Sequence, residues 1–277
     1  ITMSIMAGQK MKDPNAGVAT DFVKTVMGPL LAQIKEKGIK VISNAGGVNP
    51  KACVAALNAI AEEQGIELKV AMVDGDNVLP QKRQLEQSGV VEMFNGSAMP
   101  PMLVSMNAYL GAPAIVSALE QEADIVVTGR VVDSAVVLGA MVHEFGWTWT
   151  EFDKLAQGSL AGHIIECGPQ ATGGNYTDWE EVADSLHNVG YPIAEISGDG
   201  TFNITKPDFT GGTVTCGTVG EQLLYEIGDP RAYLLPDVIC DWSGVTLEQI
   251  GPDRVRVKGG KGLGRTGSYK VSATYAD

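Results

Sequence analysis

Short runs of β-branched residues alternate along the chain with stretches in which apolar positions recur every three or four residues. Residues 39–43 and 68–73 read as strands. Ile125, Val126 and Val127 form a third run that is apolar on both faces, as a buried parallel strand requires. Residues 51–64 carry Val54, Leu57 and Ala61 at helical spacing, with Asn49 at the N-cap, Pro50 in the first turn and Gly65 as the stop. Residues 80–87, 114–121 and 135–143 read as further helices, the last capped by Asp133 or Ser134. Residues 89–107 read as an irregular connection. This β-α-β-α order predicts an α/β fold with a parallel, Rossmann-like (doubly wound) sheet and right-handed crossovers.

From about residue 194 the texture changes. Glycine, threonine and valine dominate short runs at 202–205, 213–219, 233–239 and 254–257, interrupted by one amphipathic helix near 221–227. The expected organisation is an α/β ligand-binding domain over 1–193 with a β-rich region over 194–277 packed on it. The opening 1–6 reads as a buried element, and the alternating strand at 268–275 runs to the end, so the sequence reads as an internal portion of a longer protein.

Composition narrows the function classes. Twenty Lys and Arg against 33 Asp and Glu give a net charge of −13, which argues against nucleic acid and anionic membranes as partners. No apolar run is long enough for a transmembrane helix and no signal peptide is visible, so a cytoplasmic location is expected. The four cysteines (Cys53, Cys167, Cys216, Cys240) are scattered without a C-x-x-C pair, so neither a metal cluster nor a redox motif is expected.

Candidate chemistry collects at strand ends. Gly46 and Gly47 precede the helix at Pro50, where free amides can cradle an anion or the glycines simply permit a tight turn. Asp74 and Asp76 follow the second strand as metal ligands or as turn formers. Arg130 and Asp133 follow the third, where open α/β sheets bind ligands. Arg130 suits a carboxylate or phosphate there, and Asp133 either handles protons or caps its helix. His163 and Glu166 lie three residues apart, a compact acid/base pair on one helix face. Cys167 is a possible nucleophile beside His163, ranked below acid/base work. The glycine-rich loop that follows, with Asn175, resembles a binding loop. The basic segment 258–265 reads as a phosphate-gripping loop or as a hairpin connection.

Three long motifs, 43–50 (SNAGGVNP), 127–134 (VTGRVVDS) and 162–175 (GHIIECGPQATGGN), occur in this order. On them the chain resembles the acyclic terpene utilisation protein family (AtuA family) over essentially its whole length. Members usually begin earlier, with a glycine-rich strand-turn absent here, and often carry a small α+β domain or partner after this region. The resemblance implies catabolism of branched terpenoids as CoA thioesters near biotin-dependent acyl-CoA carboxylases, and it brings no agreed catalytic residues.

The leading expectation is therefore a hydro-lyase (hydratase or dehydratase) acting on an unsaturated or hydroxylated carboxylic acid or its CoA thioester. Catalysis is assigned to Glu166, His163 and Asp133, and substrate binding to Arg130, Gly46, Gly47, Asn49 and Asn175. No metal is expected, and no cofactor beyond CoA carried on the substrate. A homo-oligomer is expected. The competing expectations are a non-catalytic or scaffold subunit of an acyl-CoA carboxylase assembly, and a metal-dependent lyase built on Asp74 and Asp76.

Overall fold

A computed structural model describes residues 2–275. By packing, the described residues form two compact units, one of residues 2–132 with 268–275 and the other of residues 133–267. The division thus falls inside the motif at 127–134 rather than near residue 194.

In the first unit, helix α1 (Thr2–Lys12) opens the chain and buries only Ala7. A helix is found where a buried element was expected. A π-helical turn over Phe22–Met27 leads into α2 (Gly28–Lys37). Then come β1 (Val41–Ser43), α3 (Pro50–Glu63), β2 (Val70–Val73), α4 (Lys82–Gln87), β3 (Ser105–Ala108), α5 (Pro113–Glu120) and β4 (Ile125–Thr128). Strand β4 lies in the centre, parallel to β1 and β2, with Ile125 opposite both Val41 and Val70. Ile125, Val126 and Val127 are fully buried, each side chain stabilising the unit by about 1.5–3 kcal/mol. Helix α3 packs Cys53, Leu57 and Ala61 into the core beneath this sheet, with Leu31 and Ile34 of α2.

The parallel sheet stops at these three strands. The other three sheets among the described residues are antiparallel, so the expected doubly wound sheet is met only in this parallel core. The reason is visible at β3, which falls within the segment read as irregular. It pairs antiparallel with the last strand, Val271–Thr274, setting Asn107 opposite Ser272. That last strand therefore belongs with the first unit, not with the β-rich region.

The second unit is built on α7 (Phe152–Ile165), buried continuously from Leu155 to Ile164. A helix buried all round must be small where neighbours approach closely. Gly162 is: a Cβ there would sit 2.7 Å from Ser134 Cα, at the entry to α6 (Ala135–Phe145). The β-rich texture is found in β5 (Ile193–Ile196), β6 (Phe202–Thr205), β7 (Tyr233–Leu234), β8 (Ile239–Asp241), β9 (Thr246–Gly251), β10 (Arg254–Lys258) and β11 (Lys261–Gly262). These form an antiparallel sheet β5-β6-β10-β9 and a smaller one, β11-β8-β7. Helix α8 (Cys216–Leu224) starts five residues before the sequence signal, fixed by a capping box between Thr215 and Thr218.

Candidate functional site

The candidate residues divide between the units: Gly46, Gly47, Asn49 and Arg130 lie in the first, and Asp133, His163, Glu166 and Asn175 in the second. Parallel strands bring the turns after β1, β2 and β4 to one edge of the sheet. At that edge Asp76 is buried, and its Oδ2 accepts hydrogen bonds from Asn107 Nδ2 (2.7 Å) and the Arg130 backbone N–H (2.9 Å). The β2 continuation reaches Asn107 through a bridge between Asn77 and Asn107. Gly129 completes the fit, because a Cβ there would lie 2.4 Å from Asp76 Oδ1. The carboxylate thus fixes the backbone that launches Arg130, whose guanidinium carbon stands 4.3 Å from the Tyr109 ring centroid. Lys270 Nζ stands 5.4 Å from the same centroid.

The turn after β1 is closed on itself. The amides of Gly47, Val48 and Asn49 donate to Asn44, Gly17 and Gly46 carbonyls. A Cβ on Gly46 would meet Thr128 O at 2.5 Å, and one on Gly47 would meet Met6 Sδ at 2.4 Å. These glycines let α1 and β4 approach, and the three amides are engaged inside the fold instead of facing a ligand. Asn49 holds the N-cap position without a capping bond. Its buried amide instead donates to Pro14 O and Ala16 O, both at 2.8 Å. Asp74 is exposed while Asp76 is buried, and among the described residues no group of three or more His, Cys, Asp or Glu could hold a metal ion.

In the second unit the close crossing at Ser134 and Gly162 brings the start of α6 to α7. The negative charge of Asp133 reaches His163, Cys167 and Tyr233. His163 is buried, its ring centroid 5.4 Å from that of Trp242 and 6.0 Å from that of Tyr233. Its Nε2 lies 3.2 Å from Leu223 O. A carbonyl only accepts, so this nitrogen carries the proton and Nδ1 is left as the acceptor. Gln222 Nε2 donates to His163 O, and Trp242 Nε1 donates to Ala156 O. Burial lowers the His163 pKa below its usual range and keeps the ring neutral.

Glu166 is the C-cap of α7, and its Oε1 accepts the Cys167 thiol hydrogen at 2.9 Å. Burial, the bond to Glu166 and the nearby charges of Glu166, Glu226 and Asp133 push this thiol up to about 12. It stays protonated near neutral pH, the wrong form for a nucleophile. Burial, then Asp133 and Glu166 among other groups, pushes Tyr233 to about 12. Tyr233, Trp242 and Glu226 went unrecognised in the sequence. Glu226 has a left-handed backbone (φ 59°), rare for a side chain of its kind, and this could be found only in the structure. Asn175 stands exposed in the turn after Gly173. The basic segment is fastened to α7: Gly260 N–H donates to Gln157 Oε1, Gly262 N–H to Asp153 Oδ1, and Lys261 pairs with Asp153. The segment carries β11, which pairs with β8, whereas β10 pairs with β6 and β9, so it passes between two sheets and closes no hairpin.

Fold and site together define a mixed α/β protein whose second unit sets a buried histidine against an aromatic wall, within reach of the charge of half-buried Asp133. The sequence matches the family described as Acyclic terpene utilisation family protein AtuA over residues 1–277, and the chain belongs to that family. No curated protein and no solved structure matches it. The family description ties the chain to the use of acyclic terpenes. Among the described residues, no helix is long and apolar enough to cross a membrane.

Proposed function

We propose that the protein is a hydro-lyase of branched, terpenoid carboxylic acid catabolism. It adds water to, or removes it from, an α,β-unsaturated or β-hydroxy acyl group carried as a CoA thioester or as the free acid. One observation carries this reading: Asp133 and Glu166 bear on the same two groups, Cys167 and Tyr233, within one unit. Hydration needs two proton-handling groups, one taking a proton from the attacking water and one giving a proton to the α-carbon. Ionised Asp133 takes a proton from the attacking water, and Glu166, protonated from solvent before the step, gives one to the α-carbon. Water adds across the double bond, with its oxygen on the β-carbon, and both carboxyl groups return to their starting states after exchange with solvent. Neutral His163 accepts a hydrogen bond from the hydroxyl through Nδ1, its Nε2 being held by Leu223. Trp242 and Tyr233 supply the apolar wall that excludes bulk water.

The test is turnover of a panel of branched 2-enoyl and 3-hydroxyacyl thioesters and acids by the purified protein, its Glu166→Gln variant and its Asp133→Asn variant. We expect interconversion by the parent and a loss in kcat of about 100-fold or more in each variant, the usual scale of general acid–base catalysis. Full activity in both folded variants overturns the assignment. So does a folded parent that turns over nothing and co-purifies with carboxylase subunits.

A further inference from the structure

The first unit holds a cleft that the chemistry above does not use. It has a volume of about 290 Å³ and is bordered by α1, the turn after β1, the segment after β2, and β3. This is the carboxyl edge of the parallel sheet, where α/β proteins recognise small molecules. Its composition is selective. Ala7, Met11, Val48, Leu79 and Val104 make apolar walls. Its one charged lining residue is Lys10, a cation in a chain of net charge −13.

Two further lining residues are polar and buried: Ser105 is 6% and Asn107 3% exposed. Burying such groups costs free energy unless they are held, and here both are. Ser105 Oγ lies 2.6 Å from Thr274 Oγ1, and Asn107 Nδ2 donates to Asp76 at 2.7 Å. Asn107 uses one amide hydrogen on Asp76, leaving a second N–H and a carbonyl oxygen in its inventory. Lys10 Nζ donates to Val48 O at 2.8 Å, which sets the ammonium at the cleft and leaves it two more donors.

We propose that this cleft binds a small aliphatic carboxylate, its anionic end on Lys10 with Ser105 and Asn107, and its alkyl end between Val48 and Leu79. A liquid water occupies about 30 Å³, so the cleft admits a ligand of on the order of ten heavy atoms. One cation among donors and apolar walls is the layout of an amphipathic anion site. An amine would meet Lys10 with like charge, and inorganic phosphate would leave the walls unfilled.

Isothermal titration of the 277-residue chain tests the proposal with 3-methylbutanoate, 3-methylbutylamine and inorganic phosphate as probes. We expect saturable binding of 3-methylbutanoate, one per chain, no binding of the amine, and phosphate at least tenfold weaker. Lys10 is exposed, so Lys10→Gln keeps the fold, and it should weaken 3-methylbutanoate at least tenfold. Leu79→Trp should abolish the binding by filling the cleft. Glu166→Gln should leave it unchanged, which separates this site from the proposed chemistry. Three results each overturn the proposal: no saturation by 3-methylbutanoate, equal binding of phosphate, or full affinity in both cleft variants.

Discussion

Both units bury a titratable side chain next to a candidate motif, yet they use it differently. In the first, Asp76 is held by two N–H donors, the Asn107 side-chain amide and the Arg130 backbone N–H, and fixes the chain just after it leaves β4. In the second, His163 is held between an aromatic wall and the backbone of Leu223 and Gln222, the charge of Asp133 reaches both it and Cys167, and Glu166 accepts the Cys167 thiol hydrogen. The contrast teaches that a strand-end motif marks where polar groups gather, whereas hydrogen-bond accounting decides which of them can still meet a ligand. At the turn holding Gly46 and Gly47 three amides are already engaged. Glu166 instead meets a side chain, the Cys167 thiol.

Four outcomes break or sharpen this comparison. The largest effect belongs to the aromatic wall. Trp242→Ala removes a ring that is 2% exposed, and we expect a loss of about 3–5 kcal/mol in urea unfolding. Asp76→Leu comes next, at about 2 kcal/mol. Two donors lose their acceptor at about 1–3 kcal/mol each, while deleting a buried charge offsets part of that. If Asp76→Leu costs nothing, the carboxylate does not organise the sheet edge.

The third outcome is a pH dependence. Burial lowers the folded-state pKa of His163, so between that value and the unfolded value near 6.5 the unfolded chain binds more protons. His163 therefore contributes stability that is complete above about pH 6.5 and is lost as the pH falls below it, at up to about 1.4 kcal/mol per pH unit. Urea midpoints between neutral and mildly acidic pH should show this slope in the parent and a shallower one in His163→Gln. Equal slopes contradict it. The smallest effect is chemical: alkylation of Cys167 by iodoacetamide, mapped by mass spectrometry at mildly alkaline pH, should be slow. It should quicken in Glu166→Gln, which removes the carboxylate that holds the thiol proton. An unchanged rate would show that burial alone governs the thiol.

Much of the first unit was legible because its signals are local. Pro50, the Val54, Leu57 and Ala61 spacing, and the Ile125–Thr128 run each specify an element without help from distant residues, although the helix buries Cys53 where the spacing pointed to Val54. Strand β3 was not legible. Ser105–Ala108 lacks β-branched residues and alternation, and its partner Val271–Thr274 lies at the far end of the chain. In the second unit the spacing of His163 and Glu166 and the strand-end place of Asp133 are readable in the sequence. The wall formed by Tyr233 and Trp242 comes from β7 and the residue after β8, which no local pattern ties to α7. Asn49 shows the converse: its place at a helix start was readable, but the Pro14 and Ala16 carbonyls that take its amide were not.

The most direct test of the central claim is oxygen transfer from labelled water. The purified protein is incubated in oxygen-labelled water with a branched 2-enoyl thioester, and the hydroxyacyl product is weighed by mass spectrometry. The expected result is one labelled oxygen on the β-carbon, formed by the parent and lost in Glu166→Gln and Asp133→Asn. Product label that persists undiminished in both folded variants, or a folded parent that incorporates none from any branched substrate, would contradict the account.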